Sequence, residues 1–414
     1  MVPKLRLSSF KDDKSSRWSL ANLGKLVEFK KGKGISKSDI SNDGTYPCVR
    51  YGELYTIYNE KIDKVQSKTN CDPSEHVISK SGDILIPASG ETAVDIARAS
   101  SIFRDDVILG GDINILTPKS NSLNSLFLSY SIVGKKKMEL AKMAQGNSVV
   151  HLYSSQLKTL EIWLPLIDEQ TRIAYFLSSI DEKIALLNKQ YDLLCQYKKG
   201  MMQKIFSQEL RFKNNNGGKF PKWDMRKFSD FFTIGSSKRV LQDSWVNEGV
   251  PFYRTRELVS LSKKEKFKSE IFITEDNYAY LKHKYGIPAI GDFLVSGVGT
   301  LGIIHQIKND NPFYFKDGNV LWFRKNNEIN SDFFYQVFNS PKVITQVVDH
   351  AAITTVGTYT IENAKKTKFM CPSLDEQTKI ANFLSAIDDK IAVKKAELDK
   401  LKTWKQGLLQ QMFV

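Results

Sequence analysis

The strongest constraint on this chain is a stretch that it contains twice. Residues 165–206 begin PLIDEQTRIAYFLSSIDEKIA, and residues 372–413 begin PSLDEQTKIANFLSAIDDKIA. The copies align without a gap at a constant offset of 207, and fifteen of the first 21 pairs are identical. Chance does not produce such agreement, so the chain carries an internal duplication. Any fold assigned to it must hold two equivalent parts.

Each copy reads as one long helix. Ile173, Leu177, Ile180, Ile184, Leu187, Tyr191, Leu194, Met201 and Ile205 recur in alternating steps of four and three, with one slot skipped. Ile380, Leu384, Ile387, Ile391, Leu398, Leu401, Leu408 and Met412 do the same in the second copy. A narrow seam repeating every ~3.5 residues is the coiled-coil pattern. Asp168 and Asp375 stand where each helix would begin, and a carboxylate there suits free N–H groups and the helix dipole. About 38 residues at ~1.5 Å each give a rod of roughly 57 Å. That is more than a globular core needs, so a spacer or docking surface is expected. The skipped slots are Lys198 and Lys405, with Gly200 and Gly407 two residues later. Either the helix ends there, or the glycine marks a tight crossing with another helix or a partner.

A length of 414 residues predicts two or more domains. The net charge of +14 and pI near 9.3 favour an anionic partner, nucleic acid ahead of membrane. No apolar run is long enough to span a bilayer, and MVPKLRLSSFKDD lacks a signal-peptide core, so a cytoplasmic location is expected. Cys48, Cys71, Cys195 and Cys371 are scattered and read as reduced thiols. No two histidines stand at metal-ligand spacing, so no metal site is expected.

The duplication extends beyond the helices. Trp18 matches Trp223, YPCVRYGELY (46–55) parallels VPFYRTRELV (250–259), and GDILIPASG (82–90) parallels GDFLVSGVG (291–299). The chain therefore divides into a lead segment (1–17), a globular half (18–165), a spacer helix (166–206), a linker (207–221), a second globular half (222–372) and a second helix (373–414). VILGG and INILTP in the first half, with DFLVS, LGIIHQI and NVLWF in the second, read as strands. Residues 124–145 and 331–350 read as helical. The fold class is α+β: two tandem mixed domains separated by long helices. The lead at 4–7 repeats the segment just after the first helix, which predicts a cyclic, pseudo-twofold arrangement with the helices antiparallel.

No catalytic constellation emerges. Asp310-Asn311-Pro312-Phe313-Tyr314 is similar to an amino-methyltransferase loop but lacks its second proline, and reads as a turn. GKGISKS (32–38) lacks the glycine that a Walker phosphate loop places before its Lys-Ser pair. A nucleic-acid reader needs less: cations for phosphates, and forked, amide or hydroxyl side chains on loops for base edges. Lys30, Lys31 and Lys33 are expected in a glycine-containing loop, and Ser236, Lys238 and Arg239 occupy the matching place in the second half. A lysine run is by default a solvated face, but the equivalent placement argues for more. Arg50 with Tyr51, and Arg254 with Arg256, stand beside presumed strand ends. The arginines there either read guanine or pair with Glu53 and Glu257. Ser89, Glu91 and Thr92 form one polar loop, and Ser296 and Thr300 form its counterpart. Asn147 and His151, and then Thr355, Thr358 and Tyr359, lie just before the two helices. The halves share a framework and differ in these loops, as expected of a reader of two different half-sites.

Taken together, the paired Pro-x-x-Asp-Glu-Gln-Thr-x-Ile-Ala-x-Phe-Leu-Ser segments, the starts at Trp18 and Trp223 and the two-part layout resemble the specificity subunits of type I restriction–modification enzymes. The resemblance covers the whole chain. It implies two target recognition domains, each reading half of a bipartite, asymmetric DNA site, with an antiparallel coiled coil setting the gap. It implies that two modification subunits dock on the helices, carry S-adenosylmethionine and methylate an adenine flipped from the duplex. Two restriction subunits, using ATP and magnesium, would join them, and no cofactor is expected on this chain. The rod against ~34 Å per DNA turn would place the half-sites about one turn apart. Lys394 departs from the repeat, standing where the first copy has Leu187. Two other classes stay open at this point. One is a methyltransferase or nuclease with its own site, which S-adenosylmethionine binding would reveal. The other is a protein-binding scaffold, which would assemble without sequence preference.

Overall fold

The doubled stretch forms two helices, Ile167–Phe206 and Leu374–Gln411, in the computed structural model of the protein. The structure describes residues 2–10, 17–262, 271–351 and 357–414. Neither helix stays within one folded unit. Unit 1 comprises residues 1–189 with 395–414, and unit 2 comprises 190–394. The boundaries drawn from sequence kept each helix as a separate element; in the structure both are shared between units. The reason is the seam. In unit 1 Ile173, Leu177 and Ile180 bury against Leu408, Met412 and Phe413. In unit 2 Met202 and Ile205 bury with Ile380, Leu384 and Ile387. Each apolar stripe is thus completed by the opposite end of the other helix, within one unit.

The DEQT run that opens each helix is a clamp. Glu169 is fully buried and takes a two-pronged pair from Arg6, whose Nε and Nη2 lie 2.7 Å from its oxygens. Glu376 takes the same pair from Arg211, at 3.1 and 2.6 Å, and also accepts the Trp223 indole N–H at 2.8 Å. The Gln170 carbonyl accepts the Asn124 backbone N–H at 2.9 Å, and its amide donates to the carbonyls of Ser122 and Pro165. Gln377 repeats this with Asn330 and Pro372. Asn124 and Asn330 in turn cap the helices Ser125–Ser131 and Ser331–Phe338, accepting from Phe127 and Phe333. The helix start is thereby fixed to the adjoining domain by buried, satisfied polar groups. Asp168 and Asp375, favoured from sequence as caps, are exposed on the first turn and only complement the dipole.

The lead segment behaves as the repeat predicted. In unit 1 the Leu5 N–H donates to the Gln411 carbonyl at 2.9 Å; in unit 2 the Leu210 N–H donates to the Lys204 carbonyl at 3.0 Å. Two segments far apart in sequence make in unit 1 the junction that neighbouring segments make in unit 2.

Each domain is built on an antiparallel sheet. In unit 1 the order is Val27–Lys31, Ile113–Pro118, Asp83–Pro87, Ser100–Ile102, with Lys61–Ile62 parallel at the far edge. In unit 2 it is Phe232–Ser236, Val320–Lys325, Phe293–Ser296, Ile304–Gln306. The central strands are buried along most of their length, as continuous apolar runs require. A second small sheet belongs to each: Tyr46–Val49 between Ser67–Thr69 and Ile108–Leu109, with Val77–Ile78 at the edge, in unit 1, and Val250–Tyr253 with its two neighbours in unit 2. The cores differ in kind. Unit 1 packs Ile84, Ile86, Leu116 and Leu128. Unit 2 packs rings, with Phe334 within 4.4–6.2 Å of Phe232, Phe293, Phe323 and Phe369.

The seam glycines need correction. Both helices continue past Lys198 and Lys405, so neither ends there. A Cβ at Gly200 or Gly407 would meet nothing within 4 Å, so neither glycine marks a tight crossing within this chain. The close approach falls elsewhere. A Cβ at Gly134, in the π-helical turn Ile132–Lys136, would meet the Leu409 carbonyl at 2.8 Å.

Candidate nucleic-acid interface

Three polar segments meet at one end of the main sheet in each unit. In unit 1, Lys31 pairs across the sheet with Asn114, next to Ile113, which pairs with Pro87. Directly beyond, Ser89–Gly90 forms an antiparallel pair with Val150–His151. The 89–92 loop and the loop before the long helix, far apart in sequence, are therefore neighbours. In unit 2, Ser236 and Ser296 flank Leu321 and Val320 at the same sheet end. Val298 bridges to Thr358, and the Tyr359 N–H donates to the Gly297 carbonyl at 2.8 Å. The third segment is the turn carrying the paired arginines. The Thr255 hydroxyl donates to the Val298 carbonyl at 3.4 Å, and Gly90 lies against the Tyr55 ring.

The exposed groups on this end differ between units. Unit 1 presents Tyr51, Glu91, Thr92 and Asn147, with His151 half-buried and stacked on Tyr153 at 6.1 Å. Tyr51 and Tyr55 have ring centroids 6.4 Å apart. Burial, then the charges of Tyr51, Glu91 and Asp95, push the Tyr55 phenol up, so it stays a hydrogen-bond donor at neutral pH. Thr92 caps the helix Ala93–Ile96 and donates to the Asp95 carboxylate at 2.6 Å. Unit 2 presents Arg256 and Thr300, with Thr358 half-buried. The cations lie at the same end. Lys30 and Lys31 belong to the strand Val27–Lys31, not to a loop; Lys33 comes just after it, and all three are exposed. Lys31 lies 3.5 Å from Asp112. Lys238 and Arg239 are exposed, and Arg239 pairs with Asp317 at 2.9 Å. Burial alone would raise the Asp317 carboxyl, but Arg239 and Lys316 hold it low.

Several expected readers are structural. Ser89, Ser296 and Tyr359 are buried. The Ser296 hydroxyl donates to the Thr300 carbonyl and accepts the Ile303 N–H, and the Tyr359 hydroxyl pairs with Thr367. Ser236 donates its hydroxyl to the Val320 carbonyl at 2.7 Å. Ser296 and Tyr359 thus close the sheet end from inside, while Ser236 is half-buried. Arg50 and Arg254 take the second of the two roles open to them. Nε and Nη2 of Arg50 donate to Glu53 at 3.1 and 2.9 Å, and those of Arg254 to Glu257 at 3.1 and 2.6 Å, both glutamates being buried. Burial would raise Glu257, but the side-chain and backbone N–H donors of Arg254 hold it low. Thr355 lies outside the described residues. Sequence reasoning passed over Tyr55, Asp95 and Tyr153, whose signal was an aromatic or acidic residue within four positions of a chosen one. It also passed over the helix Glu275–Tyr285, with its Tyr280, Lys284 and Tyr285.

The comparisons with known proteins agree over the whole length. The profile of the type I restriction modification DNA specificity domain matches residues 15–196 and again 221–403. The type I restriction enzyme MjaVIII specificity subunit of Methanocaldococcus jannaschii is 25% identical over 406 residues, covering 95% of this chain and 91% of that protein. The putative MjaX specificity subunit of the same organism is 27% identical, covering 95% and 92%. The type I restriction–modification S subunit from M. genitalium has the same fold, with a TM-score of 0.66 at 19% identity over 100% of this chain and 99% of that one. The chain belongs to the type I restriction–modification specificity family and carries its DNA specificity domain twice.

Proposed function

We propose that this chain is the sequence-specific DNA-binding specificity subunit of a type I restriction–modification complex. Each unit reads one half of a bipartite, asymmetric site. The observation that carries this reading is the equivalence of the two sheet ends. Three segments converge in the same way in both units, yet present Tyr51, Glu91 and Asn147 in one and Arg256 and Thr300 in the other. A shared frame with divergent exposed chemistry suits two different base sequences.

The chain acts by placement and not by catalysis. Two modification subunits dock on the long helices, where Tyr175, Leu186, Tyr197 and Val393 are each at least half exposed. Those subunits carry S-adenosylmethionine and methylate adenine. Two restriction subunits complete the assembly and use ATP and magnesium. We place the complex in the cytoplasm; among the described residues no helix is long and apolar enough to cross a membrane. The test is a genome-wide map of adenine methylation in cells with and without this gene. The reading expects one bipartite motif to vanish on deletion. An unchanged map in cells that express the modification subunits contradicts it.

A further inference from the structure

Unit 2 contains a concave site beside the sheet end, and Lys238 belongs to both. A pocket of about 260 Å³ opens over the sheet face at Gly235, floored by Tyr285, Tyr314, Phe315 and Trp322. Cross-strand register puts Gly235 opposite Trp322 and Thr233 opposite Arg324, so these four share one face. A Cβ at Gly235 would meet nothing within 4 Å, so the floor there is open. Two cations line it. The Arg324 guanidinium lies 4.0 Å from the Trp322 ring centroid, an aromatic contact that holds the fork in place. The Lys238 ammonium lies 5.7 Å from the Tyr285 ring; Lys284, outside the lining, donates to the Tyr280 hydroxyl at 2.8 Å. Among the described residues neither Arg324 nor Lys238 pairs with a carboxylate. The nearby acids are engaged: Asp317 by Arg239 and Lys316, and Asp292 by the Trp322 indole and the N–H groups of Ala289 and Lys325.

Two cations free of carboxylates beside an aromatic floor have the chemistry of a phosphate site with a planar group beneath it. Among the described residues unit 1 has no counterpart. The equivalent positions hold Lys30 for Gly235, Ile115 for Trp322 and Thr117 for Arg324, with Thr117 paired to Glu28 across the strands.

We propose that this pocket binds the phosphate of a nucleotide, with Arg324 and Lys238 as its ligands. The source is the DNA backbone flanking the half-site that unit 2 reads, or a free nucleotide; the first rests on the function proposed above. The site anchors unit 2 without reading bases.

The experiment compares the full chain with the K238A/R324A variant, both substituted residues being exposed, and uses an unchanged melting temperature as the folding control. Duplex binding is followed by anisotropy across a salt series, and deoxyadenosine monophosphate and inorganic phosphate are titrated separately. For a backbone site, duplex affinity falls about tenfold or more and the slope of log K against log salt drops by about 1 to 2, at unchanged sequence preference. R324K recovers part of the loss. Nucleotide or phosphate binding that the variant abolishes, with duplex affinity unchanged, assigns the site to a free nucleotide. If neither measurement moves, the pocket is not a phosphate site. A wild-type chain without sequence preference overturns the half-site reading alone, because the nucleotide titration still reads the pocket.

Discussion

Units 1 and 2 hold the same half-buried lysine–aspartate pair in different company. In unit 1 the Lys405 ammonium lies 2.6 Å from Asp181 and 2.8 Å from Glu60, while the Tyr130 hydroxyl donates to Asp181 at 2.6 Å. In unit 2 Lys198 lies 2.7 Å from Asp388, and the Gln336 amide donates to Asp388 at 2.7 Å. Tyr130 and Gln336 occupy equivalent places on equivalent helices. Among the described residues no second carboxylate joins Lys198, and the Gln336 carbonyl oxygen has no partner. The slot that breaks each apolar seam is therefore an interhelical ion pair that the recognition domain completes. Burial would lower the Lys405 pKa, but Glu60 and Asp181 hold it up; burial beside Glu60 pushes the Asp181 carboxyl up despite Lys405. Duplication preserved the pair, and each domain then supplied its own third group.

The sharpest way to break that comparison is to remove the lysines in turn. K405M strands two buried carboxylates and should cost about 3–5 kcal/mol. K198M leaves Asp388 more exposed and still bonded to Gln336, and should cost roughly 1–3 kcal/mol. Urea unfolding of the full chain measures both, and equal losses would show that Glu60 adds nothing. A smaller difference is set by pH. Burial, then Lys308, push the pKa of His305 down to about 4. The unfolded chain takes up that proton near 6.5, so stability present above that value is lost as the pH falls toward 4. Melting curves between these limits should show the loss in the wild type and a flatter response in H305N; parallel curves would contradict the assignment. The smallest effect has the opposite sign. G200A and G407A place a methyl group in open space within a helix and should each stabilise by about 0.5–1 kcal/mol. A loss in either melting temperature would restore the tight-crossing reading at that glycine.

Much of this was legible in the chain because periodicity and duplication are backbone-level signals. INILTP is the strand Ile113–Pro118, and residues 331–350 contain the helix Ser331–Phe338 and most of Pro341–Ala351. The helix Glu275–Tyr285 was invisible because its tyrosines and charges form no wide apolar stripe; Thr274 caps it and Gly286, at φ 78°, ends it. Polar burial was the other blind spot. Glu169, Gln170 and Ser296 read as surface residues by type. Their partners Arg6, Asn124 and Ile303 are mostly distant in sequence, so only the folded chain shows that they are satisfied. For the same reason the sequence left open both roles of Arg50 and Arg254.

The most direct test of the central claim exchanges residues 18–165 for the corresponding half of another specificity subunit, keeping the 166–206 helix, and maps adenine methylation again. The account predicts a motif in which one half changes while the other half and the gap length stay as they were. Simultaneous change of both halves would contradict independent reading by the two units.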